Sequence, residues 1–275
     1  MILVTGASGN VGGELVGQLL AQGRPVRALV RKRTSPPRPG VDVVEGDLNR
    51  AETLDQALTG VDGVFLLGGF NDMPAVLRRA RAAGVSHVVL LSSRSVVGGR
   101  PDNAVTGMHM ASEAAVRASG FGWTILRPSG FMSNTFEWLG QLSQGDVVRS
   151  AFASVPIATI DPYDIAAVAA AVLTSEPHFG LSHSLSGPAA LLPAERAEIL
   201  GGVLGRRLHF EGQLDAEARA EMSLTIPAKY VDAFFRFFAD GEFDDTPVVP
   251  AVEEITGRPP RTFEEWAVSH AKAFT

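Results

Sequence analysis

The chain opens with an apolar run, three evenly spaced glycines and an amphipathic stretch, and this combination constrains the fold more than any other feature. Ile2-Leu3-Val4 reads as a short buried strand, and Gly6, Gly9 and Gly12 follow it. From Val11 the apolar residues fall at helical spacing, Val11, Leu15 and Leu19 with Val16 and Leu20. Strand, glycine turn and helix make the first half of a βαβ unit. The N-terminus of such a helix presents free backbone N–H groups and a partial positive charge, which suit a pyrophosphate. Gly6 permits the tight turn, Gly9 lets phosphates approach the backbone, and Gly12 lets the helix pack against the strand. The spacing Gly-x-x-Gly-x-x-Gly differs from the commoner Gly-x-Gly-x-x-Gly. Its position between strand and helix sets it apart from a generic strand-to-helix loop.

With 275 residues the chain has room for one large domain, or a domain with a smaller lobe. Hydrophobic residues at 45% and charged residues at 20% suit a globular protein with a sizeable core. The net charge of −6 argues against a nucleic-acid footprint. There is no cysteine, which excludes disulfides, thiolate nucleophiles and cysteine-bound metal. No apolar stretch reaches membrane-spanning length. The first strand begins at Met1, so no leader peptide is expected and the cytoplasm is the expected compartment.

Residues 25–31 read as the second strand. NAD-binding sites usually carry an acid at the end of this strand to hold the ribose 2′-OH. Here Arg31, Lys32 and Arg33 stand there instead. A guanidinium binds a 2′-phosphate that a carboxylate would repel, so Arg31 points to NADP(H); the alternative is a solvated basic turn. Residues 34–40, with three prolines, read as a loop, and residues 41–45 as the third strand. The corner Gly46-Asp47-Leu48 then faces the adenine, where Asp47 either accepts from the exocyclic amine or caps the next turn, or both. A short helix over 51–59 leads to a fourth strand over 61–67, with Gly68 and Gly69 at its end allowing the backbone to pass close to the cofactor. A helix over 74–83 and a fifth strand over 87–92 follow, with His87 expected at the surface. This alternation predicts an α/β fold, a Rossmann-type doubly wound parallel sheet with ligands at the C-terminal strand ends.

Beyond Ser92-Ser93, residues 96–106 read as a loop beside the site and 107–119 as a helix carrying His109 and Glu113 on one face. Residues 123–127 form a sixth strand, broken by Pro128-Ser-Gly-Phe-Met132. Further strands are expected over 155–160, 181–186 and 206–210, with an Asp161-capped helix over 165–173 and an amphipathic helix over 193–204. Within 229–239, Val231, Phe234 and Phe238 share a helical face, read either as lobe core or as an apolar wall for an aromatic acceptor. Thr262-Phe-Glu-Glu265 is a capping box opening a last helix that Phe263 and Trp266 dock.

Several of these stretches together resemble the NmrA-like atypical short-chain dehydrogenases. They are Thr5-Gly-Ala-Ser-Gly-Asn-Val-Gly12, Gly46-Asp-Leu48, Ser92-Ser93, Trp123-Thr-Ile-Leu-Arg-Pro128, Phe131-Met-Ser-Asn134 and the segment from Ile255 to Trp266. The resemblance is greatest to the triphenylmethane reductase and NADPH-quinone reductase branch and spans nearly the whole chain. It implies NADP(H) bound by Gly6, Ser8, Gly9, Asn10, Val11 and Arg31, by Asp47 and Leu48, and by Leu67, Gly68, Gly69 and Pro128. It further implies an acceptor held by Phe131 and Asn134, with no metal. Residues 1–150 would form the cofactor domain, its sheet completed within 151–190, and residues 191–275 a small α/β substrate lobe.

Typical short-chain dehydrogenases carry Tyr-x-x-x-Lys where this chain reads His109-Met-Ala-Ser-Glu113, and its only tyrosines are Tyr163 and Tyr230. His109 and Ser92 are therefore the catalytic candidates, with hydride transfer resting mainly on positioning; a surface His–Glu pair is the alternative for His109. The expected activity is NADPH-dependent reduction of a small quinone, carbonyl or conjugated acceptor. The competing expectation is an NADP-sensing regulator without turnover, and a nucleotide-sugar epimerase is disfavoured by the missing tyrosine. The expected partner is a small molecule, not nucleic acid or membrane, and a homodimer is left open.

Overall fold

The structure is a computed structural model that describes residues 1–33, 38–175 and 178–275. Much of the loop read over 34–40 therefore lies outside the described residues. The chain runs β1 (Ile2–Val4), α1 (Asn10–Ala21), β2 (Val26–Val30), β3 (Val41–Glu45), α2 (Asp55–Leu58), β4 (Gly63–Leu67), α3 (Met73–Ala82) and β5 (His87–Leu91). It continues through α4 (Ala104–Arg117), β6 (Gly122–Pro128), α5 (Leu139–Leu142), β7 (Val147–Ser150), α6 (Pro162–Leu173) and β8 (Leu181–Leu185). The last part holds α7 (Pro193–Leu204), β9 (His209–Gly212), α8 (Asp215–Met222), α9 (Ala228–Phe238), α10 (Ala251–Thr256) and α11 (Phe263–His270). No helix among the described residues is long and apolar enough to cross a membrane.

Seven parallel strands form one sheet in the order β3-β2-β1-β4-β5-β6-β8. Side chains along a strand alternate between faces, and the core divides accordingly. Ile2, Val4, Phe65, Val89 and Leu126 pack with α1 and α6, whereas Leu3, Val64, Leu66, Val88, Leu90 and Ile125 pack with α2, α3 and the buried side of α4. Reversal of strand order between β1 and β4 opens a crevice at the C-terminal ends of these strands, where sheets of this kind bind ligands.

A second layer of structure sits over that edge. β7 and β9 pair in parallel as a two-stranded sheet. Trp138, Leu142 and Val148 share a core with Ala197 and Leu200 of α7 and with Phe263 and Trp266 of α11. The capping box at Thr262 and Glu265 is formed, and so is the Asp161 cap of α6.

Three expectations are corrected. Residues 155–160 are not a strand, because their backbone groups are taken by separate crossing segments. Ile157 exchanges hydrogen bonds with Leu191, Ala158 donates to the Asp245 carbonyl, and Ile160 donates to the Gly130 carbonyl. His87 is buried, not at the surface; its Nε2 lies 3.1 Å from Thr124 Oγ1, and its ring packs on Phe179. The phenylalanines of α9 divide differently from the expected face. Val231 and Phe235 enter a lobe core with Ala218 and Phe237 is buried against Phe243, while Phe234 and Phe238 remain half-buried and line a cavity.

Candidate active site

The glycine turn carries α1 to the C-terminal edge of the sheet. Gly6 has φ +63°, and a Cβ there would stand 2.6 Å from Leu67 Cδ1. A Cβ on Gly12 would lie 2.2 Å from the Gly6 carbonyl oxygen, so helix and turn touch at van der Waals range. Gly9 is different: it is exposed, has φ −92°, and a Cβ there would meet only the Gly6 oxygen at 3.3 Å. Gly9 is also the N-cap of α1 without a side-chain cap, so the first-turn amides are left for another acceptor. A pyrophosphate fits this uncapped, side-chain-free terminus in charge and in space. Ser8 is exposed beside it, Val11 is buried in the helix face, and Asn10 Nδ2 donates to Ser133 Oγ at 3.0 Å.

Around this turn the other predicted cofactor contacts gather at neighbouring strand ends. Arg31 is exposed just past β2 and has no ion pair or hydrogen bond among the described residues. Arg33 is engaged elsewhere, its guanidinium donating to the Val43 carbonyl and its backbone N–H to Glu45 Oε1. Asp47 Oδ1 accepts from the Asn49 amide at 2.9 Å, which is the capping role, and Leu48 packs into the sheet's core. Leu67 is half-buried against Gly6. Gly68 and Gly69 run under α4, where the Gly69 amide donates to Ser112 Oγ, and Gly69 has φ +86°. Pro128 closes β6 and is buried.

The His109 helix, α4, is held by a carboxylate cluster at Glu113. Glu113 has no exposed side-chain surface. Its Oε1 accepts from Ser92 Oγ at 2.7 Å and Arg127 Nε at 2.8 Å, and its Oε2 from Arg127 Nη2 at 2.6 Å and Arg117 Nη2 at 2.7 Å. Burial, the largest single influence, pushes the carboxyl up, but the bonds from Arg127, Ser92 and Arg117 outweigh it and leave it below its ordinary value. The expectation of a surface His–Glu pair is thus corrected, since Glu113 ties α4 to the ends of β5 and β6. The hydroxyl proton of Ser92 is committed to that carboxylate. His109, one turn earlier, is pulled down to about 4 by burial against the opposing charge of Glu113, and its Nδ1 is buried without a partner. Near neutral pH it is an uncharged imidazole with one N–H to give.

Beyond β6 the chain opens into a cavity of about 390 Å³. Phe131 and Asn134, the two predicted substrate contacts, both line it, with Asn134 exposed to its interior. Phe152, Phe234 and Phe238 add an aromatic wall. Phe152 adopts φ +54°, and its ring meets Phe235 at 5.0 Å and Phe238 at 5.2 Å between centroids. Glu137 and Arg196 line the same cavity. Glu137 is exposed there, whereas Arg196 is buried. A second cavity, about 280 Å³, lies at the opposite, N-terminal edge of the sheet beside Met1 and His87, away from all the predicted site residues.

Asp245 and Arg94 were not foreseen in the sequence. Asp245 is buried, its Oδ2 accepts from the Gly130 amide at 2.9 Å, and Arg94 Nε lies 3.5 Å from its Oδ1. Burial raises its pKa to about 6 against the opposing Gly130 amide and Arg94 charge. Nothing local marks an acid that meets its partners more than a hundred residues away. Arg196 does leave a local trace, a charged residue within the buried stripe Pro193, Ala197 and Leu200.

Comparison with known proteins places the chain among NAD(P)H-binding proteins. Residues 6–176 match the NAD(P)H-binding family. The chain is 41% identical to the (4-alkanoyl-5-oxo-2,5-dihydrofuran-3-yl)methyl phosphate reductase of Streptomyces griseus, covering 100% of this chain and 99% of that protein. It is 33% identical to the NAD(P)H azoreductase of Xenophilus azovorans, again over 100% and 99% of the two chains. The NADPH-dependent quinone oxidoreductase QOR2 of Escherichia coli, solved in complex with NADPH, superposes with a TM-score of 0.78 at 23% identity, covering 99% of this chain and 100% of that one.

Proposed function

The chain belongs to the NAD(P)H-binding family, and from that premise we propose that it is an NADPH-dependent reductase of a small quinone, carbonyl or conjugated acceptor. The observation that carries this reading is a continuity. The uncapped terminus of α1 and the aromatic cavity that begins at Phe131 stand on the same edge of the sheet, joined by the Asn10–Ser133 hydrogen bond. The full-length relatives, an azoreductase and a furanone phosphate reductase, support a conjugated acceptor.

In this reading the bound cofactor supplies the hydride, and the chain supplies position. The amides at Asn10 to Gly12 hold the pyrophosphate, and Arg31 holds the 2′-phosphate. Gly68, Gly69 and Pro128 give the cofactor backbone and apolar surface to lie along. Phe131, Phe152, Phe234 and Phe238 orient a flat acceptor and exclude water, while Asn134 offers it a hydrogen bond. His109 contributes as a neutral N–H donor, because burial denies it the imidazolium form near pH 7.

Following NADPH oxidation with a naphthoquinone and with a conjugated ketone tests the reading. Steady turnover of at least one is expected; tight NADPH binding with no oxidation of either would replace the enzyme with a sensor. His109→Ala should slow the ketone by about 10²-fold, because its alkoxide needs a proton at once, and the quinone much less. Neither wild-type profile should show an inflection near 6.5 assignable to His109. Such an inflection, removed by His109→Ala, would overturn its role as a neutral donor.

A further inference from the structure

We propose that the acceptor cavity is built for a substrate bearing an oxyanion, a phosphate, sulfonate or carboxylate group, and that Arg196 is its anchor; this rests on the reductase reading above and specifies its substrate class.

Arg196 occupies the buried stripe of α7 and is only 7% exposed. Among the described residues no carboxylate oxygen stands within the 4.0 Å of an ion pair, and no hydrogen bond engages its guanidinium. Its Nε is enclosed with no partner at all. The Trp138 ring lies 5.5 Å from the guanidinium carbon, which fixes the group and favours its charge but satisfies none of its N–H donors. A desolvated cation with empty donors is costly to keep. The cavity it lines is the open route by which an acceptor can reach it.

The other charged groups there do not fill this role: Glu221 is a carboxylate, and its Oε2 accepts from Gln213 Nε2 at 2.7 Å. Arg149 also lines the cavity, but Glu217 at 2.8 Å and Glu211 at 3.7 Å already engage it. Glu137 shares the wall with Arg196 and biases it electrostatically, yet lies outside ion-pair distance. A second enclosed polar atom points the same way. Thr159, 3% exposed, lines this cavity, and its Oγ1 has no hydrogen-bond partner. Among the described residues the cavity therefore holds an enclosed fork-shaped cation and an enclosed hydroxyl without partners, on walls that combine aromatic and aliphatic side chains with the carboxylates Glu137 and Glu221 and several amides. That set matches a planar conjugated molecule with an oxyanion substituent, since guanidinium pairs with such groups bidentately.

The test compares a naphthoquinone with its sulfonate as acceptors, in wild type and in Arg196→Gln. The ratio of the sulfonate KM to the parent KM should rise at least about tenfold in the variant. Comparing ratios cancels the difference in intrinsic reactivity between the two quinones. Arg196→Lys keeps charge without the fork and should fall between. An unchanged ratio would make Arg196 structural and overturn the proposal. Calorimetric titration of NADPH-saturated protein with phenyl phosphate, benzoate and benzyl alcohol reads the site without turnover and with the pyrophosphate site filled. Wild type should bind an anion and not the alcohol, and the tighter anion distinguishes phosphate from carboxylate. No anion binding by wild type would overturn the proposal even if neither variant folds. Anion binding with no quinone turnover would instead remove the reductase reading and leave the oxyanion site standing.

Discussion

Gly9 and Gly12 stand three residues apart in one turn and meet opposite demands. A side chain on Gly12 runs into the Gly6 carbonyl at 2.2 Å, a backbone atom that cannot swing aside. Gly12→Ala should therefore lower stability by about 1–3 kcal/mol, the scale of core overpacking, seen as an earlier urea midpoint. Gly9 has an ordinary φ, and a Cβ there meets only the Gly6 oxygen, closely at 3.3 Å, so Gly9→Val should cost no more than about 1 kcal/mol of stability. It should nonetheless weaken NADPH by about 10²-fold, because the valine occupies the phosphate's place. Normal NADPH affinity in Gly9→Val would move the phosphate site elsewhere. Arg31 carries the companion prediction at the other end of the cofactor. Arg31→Ala should cost NADPH about 1.5–3 kcal/mol and NADH almost nothing, since only one of them bears the 2′-phosphate. Equal losses in a fluorescence titration would leave Arg31 a solvated turn residue.

At the scale of elements, α4 shows how one exchange of residue types changes a helix's task. Where a Tyr–Lys pair would face the acceptor, Glu113 instead turns into the protein and clamps α4 to β5 through Ser92 and to β6 through Arg127. Glu113→Ala leaves two guanidinium groups without their common anion, one of them largely buried, and should destabilise the fold by about 3–5 kcal/mol in urea. The folded carboxyl lies below its ordinary value, so its contribution is complete at neutral pH. It is lost only as pH falls below the usual carboxylate range, through the folded value. A variant as stable as wild type at pH 7 would show that the clamp is redundant. α9 makes a related point about packing. Its phenylalanines alternate between the lobe core and the cavity wall, so the same helix builds structure on one side and a binding surface on the other.

Across the whole molecule, the segment from Phe243 to Pro250 crosses the strand ends and fastens the last part of the chain to the sheet. Asp245 takes the Gly130 amide, Arg94 donates to the Pro247 carbonyl, and Ser186 Oγ accepts from the Val249 amide. Arg94 and Asp244 are the charged groups that bear on Asp245. Its folded pKa of about 6 exceeds the ordinary 3.8, so the folded state holds the proton more tightly across that interval. Stability contributed by this group therefore falls as pH rises through the interval, and the full penalty is present above it. Asp245→Asn keeps an acceptor for Gly130 and removes the penalty. It should gain about 1–3 kcal/mol over wild type at pH 8 and nothing near pH 4. The difference between the two proteins cancels the opposing titrations of His87 and His109, both pulled down to about 4. A constant difference across pH would show that Asp245 does not titrate as its surroundings dictate.

The doubly wound sheet and the glycine turn at its edge were legible in the sequence because they rest on short-range rules. Alternation makes strands, spacing by three and four makes helices, and a glycine is needed wherever a chain must pass close to itself or to a ligand. The aromatic wall was half legible, since helical spacing names the residues of α9 but not which of two neighbouring cores each will join. The charged interior was scarcely legible. Glu113 finds Arg127 fourteen residues on, Gly130 finds Asp245 across 115, and Arg94 reaches Pro247 across 153. The cost of burying a charge is settled by what stands beside it, and only the tertiary structure brings those neighbours together. The same reason makes Arg196 no more than an odd charge in an apolar helix stripe in one dimension and an unpaired cation facing a cavity in three.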